Sequence, residues 1–355
     1  MTVHVRLVTQ ADKSIWNAYI NDHPRATPYH HFGWVESVEQ AYQHKNTSAI
    51  ALCGDYVVGV LPCILMRRPL LRPAFCSLPY CDLGFLLADD STTTDKLLAF
   101  MKQQLLNVTG QTFQLRDYID EPAPESQMEG QKVRMLLPLP ATSEELMSGF
   151  KSKLRSQIRK SEKNGLRYEI HKNGNGLDDF YHIFAINMRK LGSPVHSKAW
   201  FQHIIENYKE NSILSVVYSE NVPVGAGITL STGGVTSIPW ASTVAQYNRL
   251  APNMLLYWSL LKEACDNNMQ TFDFGRSTFN EGTYRFKAQW GATPQLLNWY
   301  DALTQTQQDF SAQDNDEREN VPQGKIRPII EKVWAKLPLH VTTALGPRIR
   351  KHISL

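Results

Sequence analysis

Residues 213–231 read ILSVVYSENVPVGAGITLS, a strand, a polar turn and a second strand, and residues 48–67, SAIALCGDYVVGVLPCILMR, repeat that order around a Gly-Asp turn. Val224-Gly225 in the later hairpin answers Val58-Gly59 in the earlier one. Working outward, each hairpin is followed by a Ser-x-Pro-aromatic element, Ser77-Leu-Pro-Tyr80 and Ser237-Ile-Pro-Trp240. A helix-period segment comes next, 91–107 or 252–268, and then a short strand, TFQLRD (112–117) or TFDFGR (271–276). Four features in one order at nearly one spacing make an internal duplication a better explanation than chance. The repeated order of antiparallel hairpin, strand, helix and strand predicts an α/β fold with a mixed sheet in each half.

The helices follow from apolar periodicity. The 91–107 segment opens at Ser91 or Thr92 and presents Leu97, Leu98, Met101 and Leu105, while 252–268 starts with Pro252 at a favourable first position and presents Leu255, Leu256, Leu260, Leu261 and Ala264. Further helices are expected at about 11–21, 32–43, 143–163 and 177–191.

At 355 residues the chain is too long for one ordinary core and sufficient for two. Its 42% hydrophobic and 20% charged residues are those of a globular protein. No run of about 18 apolar residues is present, and the N-terminus lacks a basic stretch followed by an apolar one, so a cytoplasmic protein is expected. The five cysteines, Cys53, Cys63, Cys76, Cys81 and Cys265, form no C-x-x-C pair and read as small buried apolar residues.

The net charge of +3 is unevenly spread. Between 151 and 172, eight Lys or Arg face only Glu162 and Glu169. The stretch 306–324 is acidic and polar and reads as a linker. The basic tail 325–355 gathers Ile329, Ile330, Val333, Trp334 and Leu337 on one helix face, with Lys332 and Lys336 beside them, which fits either an anionic membrane surface or packing on the protein.

Three places carry chemistry. In FKSKLRSQIRKSEKNGL (150–166), Phe150, Leu154 and Ile158 form the apolar stripe, and the cations, Arg155 and Arg159 among them, form a face that suits phosphates or is simply solvated. In FDFGRSTFNEGTYRFKAQWGATP (272–294), a strand ending at Phe274 with a tight exit at Gly275 brings Arg276, Arg285 and Lys287 beyond the strand, in a cationic hairpin near Asp273. Sheet ends of this kind commonly bind ligands, although Asp273 paired with Arg276 or Arg285 would explain the same charges. The loop Gln246–Pro252 opens the 252–268 helix, where acetyltransferases of the GNAT class hold the coenzyme A pyrophosphate; Arg249 occupies the position of their first loop glycine. There is no G-x-S-x-G and no cysteine beside a plausible histidine base. His30-His31 lacks a metal-ligand spacing, so no metal is expected.

Taken together, HPRATPYHHFGW (23–34), SLPYCDLG (77–84), KLRSQIRKSEKNGL (153–166), RKLGSPVHSKAWF (189–201) and above all DFGRS with GTYRFKAQWG resemble the FemA/FemB/FemX family. Within it the chain looks most like the FemAB-like proteins found with exopolysaccharide and exosortase (PEP-CTERM) gene sets. The resemblance implies two tandem GNAT-like domains, 1–142 and 143–305, and transfer of an amino acid from aminoacyl-tRNA, or of an acyl group from acyl-CoA, with no tightly bound cofactor. The acceptor it implies is an amine of a nucleotide- or lipid-linked envelope precursor. It places Lys287, with Phe286 beside it, at the transfer site, and Arg155 and Arg159 at the acceptor phosphates; Arg249 at the helix opening and Arg276 and Arg285 beyond the strand end, read from their positions, are further candidate substrate contacts. An acyl ester attacked by an amine needs a fixed cation at the developing oxyanion, for which Lys287 is the candidate, and a group to orient or deprotonate the amine, Asp273 or Tyr284. The segment 143–195 is too short for the coiled-coil arm of the tRNA-handling members, so a coenzyme A-dependent acetyltransferase acting on an amino sugar is a second reading. A non-catalytic assembly protein of an exopolysaccharide system is a third. Because TFQLRD lacks the Gly-Arg-Ser continuation, chemistry is expected in the second half, with the first closing the cleft.

Overall fold

The computed structural model describes residues 2–67, 73–106, 112–302, 304 and 327–354; the expected linker 306–324 lies outside the described residues. Both hairpins form as read. Ala49–Cys53 pairs with Tyr56–Leu61 around Gly54 at φ +61°, and Ser212–Ser219 pairs with Val222–Thr232. In each half a strand ahead of the long helix runs parallel to the strand after it. Ala74–Cys76 lies beside Phe113–Tyr118, joined through the helix Ser91–Leu106, and Val235–Thr243 lies beside Thr271–Thr278, joined through Pro252–Asp266. The duplicated α/β unit is therefore real at the level of topology.

The last strands tie the halves together. Lys132–Pro138 pairs with Thr271–Thr278, and Thr293–Asp301 pairs with both Lys132–Pro138 and Phe113–Tyr118, so one eleven-stranded mixed sheet runs through the molecule. A separate four-stranded sheet holds Val3–Leu7, the first hairpin and Leu87–Ala88. The faces between the halves are filled by aromatic rings: Trp34 stacks on Trp240 at 5.7 Å and meets Trp200 edge-on at 5.3 Å. Trp200 belongs to a helix not among those expected, Lys198–Tyr208, capped by the Ser197 hydroxyl accepting from the Trp200 N–H at 3.1 Å.

Three expectations are corrected. The single helix at 143–163 is two, Ser143–Gly149 and Ser152–Lys163. Phe150 is extended between them because its ring is needed inside, against Trp290 at 5.6 Å and Trp258 at 6.2 Å. The strand expected to end at Phe274 continues to Thr278 through a bulge, and the residues after it form the helix Gly282–Ala288 rather than a hairpin. Ser77–Tyr80 leaves the sheet as a turn, whereas Ser237–Trp240 stays within its strand. The tail forms two helices, Arg327–Lys336 and Leu339–Arg350, that dock on the protein: Trp334 is buried, and Gly346 lies so close to Val195 that a Cβ would come within 2.9 Å of its nitrogen. The predicted apolar face is divided by that docking, since Ile329, Ile330 and Val333 remain 59%, 48% and 56% exposed.

Candidate active site

The strands Val235–Thr243 and Thr271–Thr278 pair only from Val235 opposite Thr271 to Ser237 opposite Asp273, and then part. A fork of this kind opens a polar cleft in a sheet, because the backbone groups beyond it no longer meet. Three sets of residues converge on it.

The first is made by the bulge. Asp273 lies opposite Leu136 and Arg276 opposite Arg134, three steps along one strand against two along the other. In a regular strand, residues three apart face opposite sides of the sheet; the extra residue brings Asp273 and Arg276 to the same side. Gly275, at φ +72°, takes the backbone conformation that this needs. Asp273 is 2% exposed, its Oδ1 accepts the Gly275 N–H at 2.8 Å, and its Oδ2 lies 3.9 Å from Nη1 of Arg134. Burial raises the carboxyl pKa above the ordinary value, with Arg134 acting against it.

Lys287 closes the bulge from the helix Gly282–Ala288. Its ammonium donates to the Gly275 carbonyl at 3.0 Å and the Arg276 carbonyl at 2.7 Å. Burial pushes its pKa down to about 8, against the pull of Asp82 and Asp273.

The third set comes from the first half. The turn after Ser77 delivers Asp82, whose carboxylate accepts the Arg276 backbone N–H at 3.2 Å and lies 3.3 Å from the Arg276 Nε, while its carbonyl accepts the Trp299 indole N–H at 2.9 Å. Tyr29 is buried nearby; desolvation first, then the charges of Asp82 and Asp273, hold its phenol well above the usual range. Among the described residues the buried Arg276 Nη1 and Ser237 Oγ find no hydrogen-bond partner, which leaves both able to bond a ligand.

Sequence reasoning named Lys287, Asp273 and Arg276, which the structure brings together. It did not single out Asp82, although this residue lies inside the quoted SLPYCDLG, nor Arg134, whose signal is a charge between Val133 and Met135 in the strand KVRMLLP. The other candidates lie elsewhere. Tyr284 turns to the Phe279 ring at 4.9 Å, Phe286 packs on Tyr257 at 5.0 Å, and Arg285 is exposed. Among the described residues no group of three or more His, Cys, Asp or Glu is placed to hold a metal; His30 spends its ring nitrogens on Thr27 and the Phe85 carbonyl.

Residues 148–288 match the family model of the acetyltransferase (GNAT) domain. This segment is similar to GNAT domains. Over about four-fifths of its length the chain also resembles solved structures. FemX superposes with a TM-score of 0.66 at 14% identity, over 82% of this chain and 95% of that one. A tandem GNAT protein from the clavulanic acid biosynthesis pathway gives 0.52 at 12%, covering 85% and 99%. The C-terminal domain of a putative lysylphosphatidylglycerol synthetase from Agrobacterium fabrum gives 0.52 at 10%, covering 81% and 91%. At such identities the likeness is one of fold, and the fold is two tandem GNAT-like units. No curated protein sequence matches the chain.

In the matched segment the helix Pro252–Asp266 is preceded by a short 3-10 turn, Ala245–Leu250, on which Arg249 is exposed; Ala251 then adopts φ +63° and turns the chain into the helix. The basic helix Ser152–Lys163 lies along this helix, with the Asn164 side-chain amide donating to the Leu250 carbonyl at 3.2 Å. Between them and Ser143–Gly149 runs a groove of about 630 Å³ lined by Arg155, Arg159, Lys262, Trp258 and Met147. Arg155 is partly committed there, donating to the carbonyls of Ser148 at 2.9 Å and Phe150 at 2.6 Å, whereas Arg159 is exposed.

Gly275→Ala tests the bulge. An added Cβ would meet Asp82 Oδ2 at 3.7 Å and the Ile238 carbonyl at 3.8 Å, which is ordinary contact, so the cost is conformational rather than steric. A loss of about 1–2 kcal/mol in unfolding free energy is expected by denaturant titration.

Proposed function

We propose that the fork between Val235–Thr243 and Thr271–Thr278 is where an acyl or aminoacyl group passes to an amine of a cell-envelope precursor, in peptidoglycan or exopolysaccharide synthesis. The observation that carries this reading is the cluster of buried Lys287 and Asp273 with partly buried Arg276, in the segment that matches the GNAT domain model, joined by partly buried Asp82 from the first half. An amine attacks the donor's carbonyl carbon; the ester oxygen or thioester sulfur leaves with the bonding pair, and the amine's proton passes to a carboxylate. Asp273, made more basic by burial, is the base of this reading, since Tyr284 is turned to Phe279. Lys287 has three N–H groups and gives two to backbone carbonyls, leaving one for the oxyanion.

The donor is aminoacyl-tRNA or acyl-CoA. The exposed cations of the basic helix and Arg249 support a phosphate-rich donor or acceptor on that side, and Arg155 and Arg159 are the phosphate contacts of this reading. The open N-terminus of Pro252–Asp266 favours acyl-CoA specifically, as a second reading in which the acceptor is an amino sugar. Calorimetry with acetyl-CoA and with charged tRNA separates them; saturable micromolar binding of acetyl-CoA would exclude the tRNA reading. Mass spectrometry of envelope glycans and peptides from cells with and without the protein reports the product, and identical spectra would overturn transfer altogether.

The chain acts in the cytoplasm at the inner membrane in this reading, where a lipid-linked acceptor is reached. Exposed Ile329, Ile330 and Val333, with Lys332 and Lys336 on the same helix, supply the contact; no helix among the described residues is long and apolar enough to cross a membrane. Ile330→Asp should weaken flotation with vesicles containing anionic lipid by about tenfold or more, without altering the unfolding midpoint. Equal flotation of the two proteins removes the membrane contact.

A further inference from the structure

We propose that the segment Arg350–Ser354 is a latch that holds the turn Ser77–Gly84 in shape and thereby positions Asp82 at the fork. The inference rests on the fork being the transfer site, but the latch itself can be measured without any substrate.

Tyr80 is the key. It adopts φ +72°, a conformation that a bulky side chain keeps only when its surroundings impose it. Those surroundings are the tail. The Tyr80 backbone N–H donates to the Ser354 carbonyl at 2.5 Å, its hydroxyl donates to the Lys351 carbonyl at 2.7 Å, and the Arg350 guanidinium lies 5.4 Å from its ring centre. On the other side the ring packs edge-on against Tyr42, His196 and Trp200 at 5.1–5.4 Å.

A second link runs through Arg116, which is fully buried. Its guanidinium donates at 3.1 Å to the Leu78 carbonyl and at 2.7 Å to the Cys81 carbonyl, two points of the same turn, and also to the Ser354 carbonyl at 3.1 Å and hydroxyl at 2.8 Å. It stacks on Trp299, the residue whose indole N–H holds the Asp82 carbonyl. The tail, Arg116 and Trp299 therefore grip the turn on both sides of the strained residue, and Asp82 follows two positions later. Further contacts anchor the segment independently of the turn: a His44 ring nitrogen lies 2.6 Å from the Lys351 carbonyl, and the His352 ring bonds the Arg67 carbonyl at 3.0 Å. Tyr80, Arg116 and Ser354 are thus positioning residues that act through Asp82.

The test compares the full chain with one ending at Arg350 and with Tyr80→Phe, which loses only the bond to Lys351. Hydrogen exchange of the 77–84 amides, read by mass spectrometry, should quicken about tenfold or more in the shortened chain and by less in Tyr80→Phe, while the amides of Ser212–Ser219 keep their protection. Transfer, measured by the product assay above, should fall in kcat rather than KM, and Ser354→Thr should retain it better than Ser354→Ala. Unchanged exchange at 77–84 in both variants overturns the latch. Faster exchange with undiminished transfer overturns its role in positioning Asp82. Failure of the unaltered protein to transfer anything would instead refute the function, with the exchange result still standing.

Discussion

Lys287→Met should lower kcat for transfer by about 10²–10³-fold while KM changes little, because the cation it removes acts on charge that exists only in the transition state. Methionine keeps most of the buried volume, so the fold should persist. What is lost is the ammonium that spans the Gly275 and Arg276 carbonyls. The pH dependence makes the assignment specific. With the Lys287 pKa lowered from 10.5 to about 8, the ammonium is present below about pH 8 and titrates away above it, so wild-type kcat should fall on the alkaline side with an apparent pKa near about 8. That limb should be missing from the residual activity of Lys287→Met. The stability effect has the opposite sense: between about 8 and 10.5 the unfolded chain binds this proton more readily than the folded one, so the group's contribution to stability rises with pH across that window. A variant that retains full transfer would remove Lys287 from the chemistry.

Arg116→Met should be the most destabilising single change among those considered, by about 3–5 kcal/mol in denaturant unfolding. The side chain is fully buried and offers its donors to Gln114 Oε1, to three backbone carbonyls and to the Ser354 hydroxyl, while its face covers Trp299 at 4.5 Å. Methionine would fill much of the space and take the charged donor from those carbonyls in a site closed to water, where a lost bond costs more than a formed one contributes, although the Ser354 carbonyl keeps the Tyr80 N–H. The cost should be largely shared with loss of the tail: removing residues 351–355 and replacing Arg116 together should destabilise by less than the sum of the two. Full additivity would show that the guanidinium and the tail act separately.

Much of the fold was legible because it rests on local patterns. The hairpins declare themselves by β-rich runs around Gly54 and around the turn at 220–221, and the two long helices by periodic leucines behind Ser91 and Pro252. Where local pattern and tertiary need disagreed, the tertiary need prevailed. Phe150 breaks a helix that its neighbours would continue, to bury its ring against Trp258 and Trp290. Lys198–Tyr208 does carry a local signal, a buried stripe of Trp200, Phe201, Ile204, Ile205 and Tyr208 opposite exposed Lys198, Gln202 and Glu206.

The candidate site divides in the same way. Asp273, Arg276 and Lys287 are near neighbours in sequence, and their clustering around Gly275 could be read from the chain alone. That Asp273 and Arg276 face the same side depends on a register shift against Lys132–Pro138, more than a hundred residues away, and no pattern within TFDFGRST encodes it. Asp82 and Arg134 enter from the first half, and the tail that holds Asp82 in place from the opposite end of the chain. By itself the sequence determined the duplicated α/β unit and which copy carries the charged cluster, since both follow from side-chain periodicity and composition over short spans. Only the tertiary structure decided that the halves share one sheet, that the first half lends a carboxylate to the fork, and that Tyr284 and Arg285 stand outside it. Those outcomes turn on strand pairing and burial between distant segments, whose free energy no short stretch of chain carries.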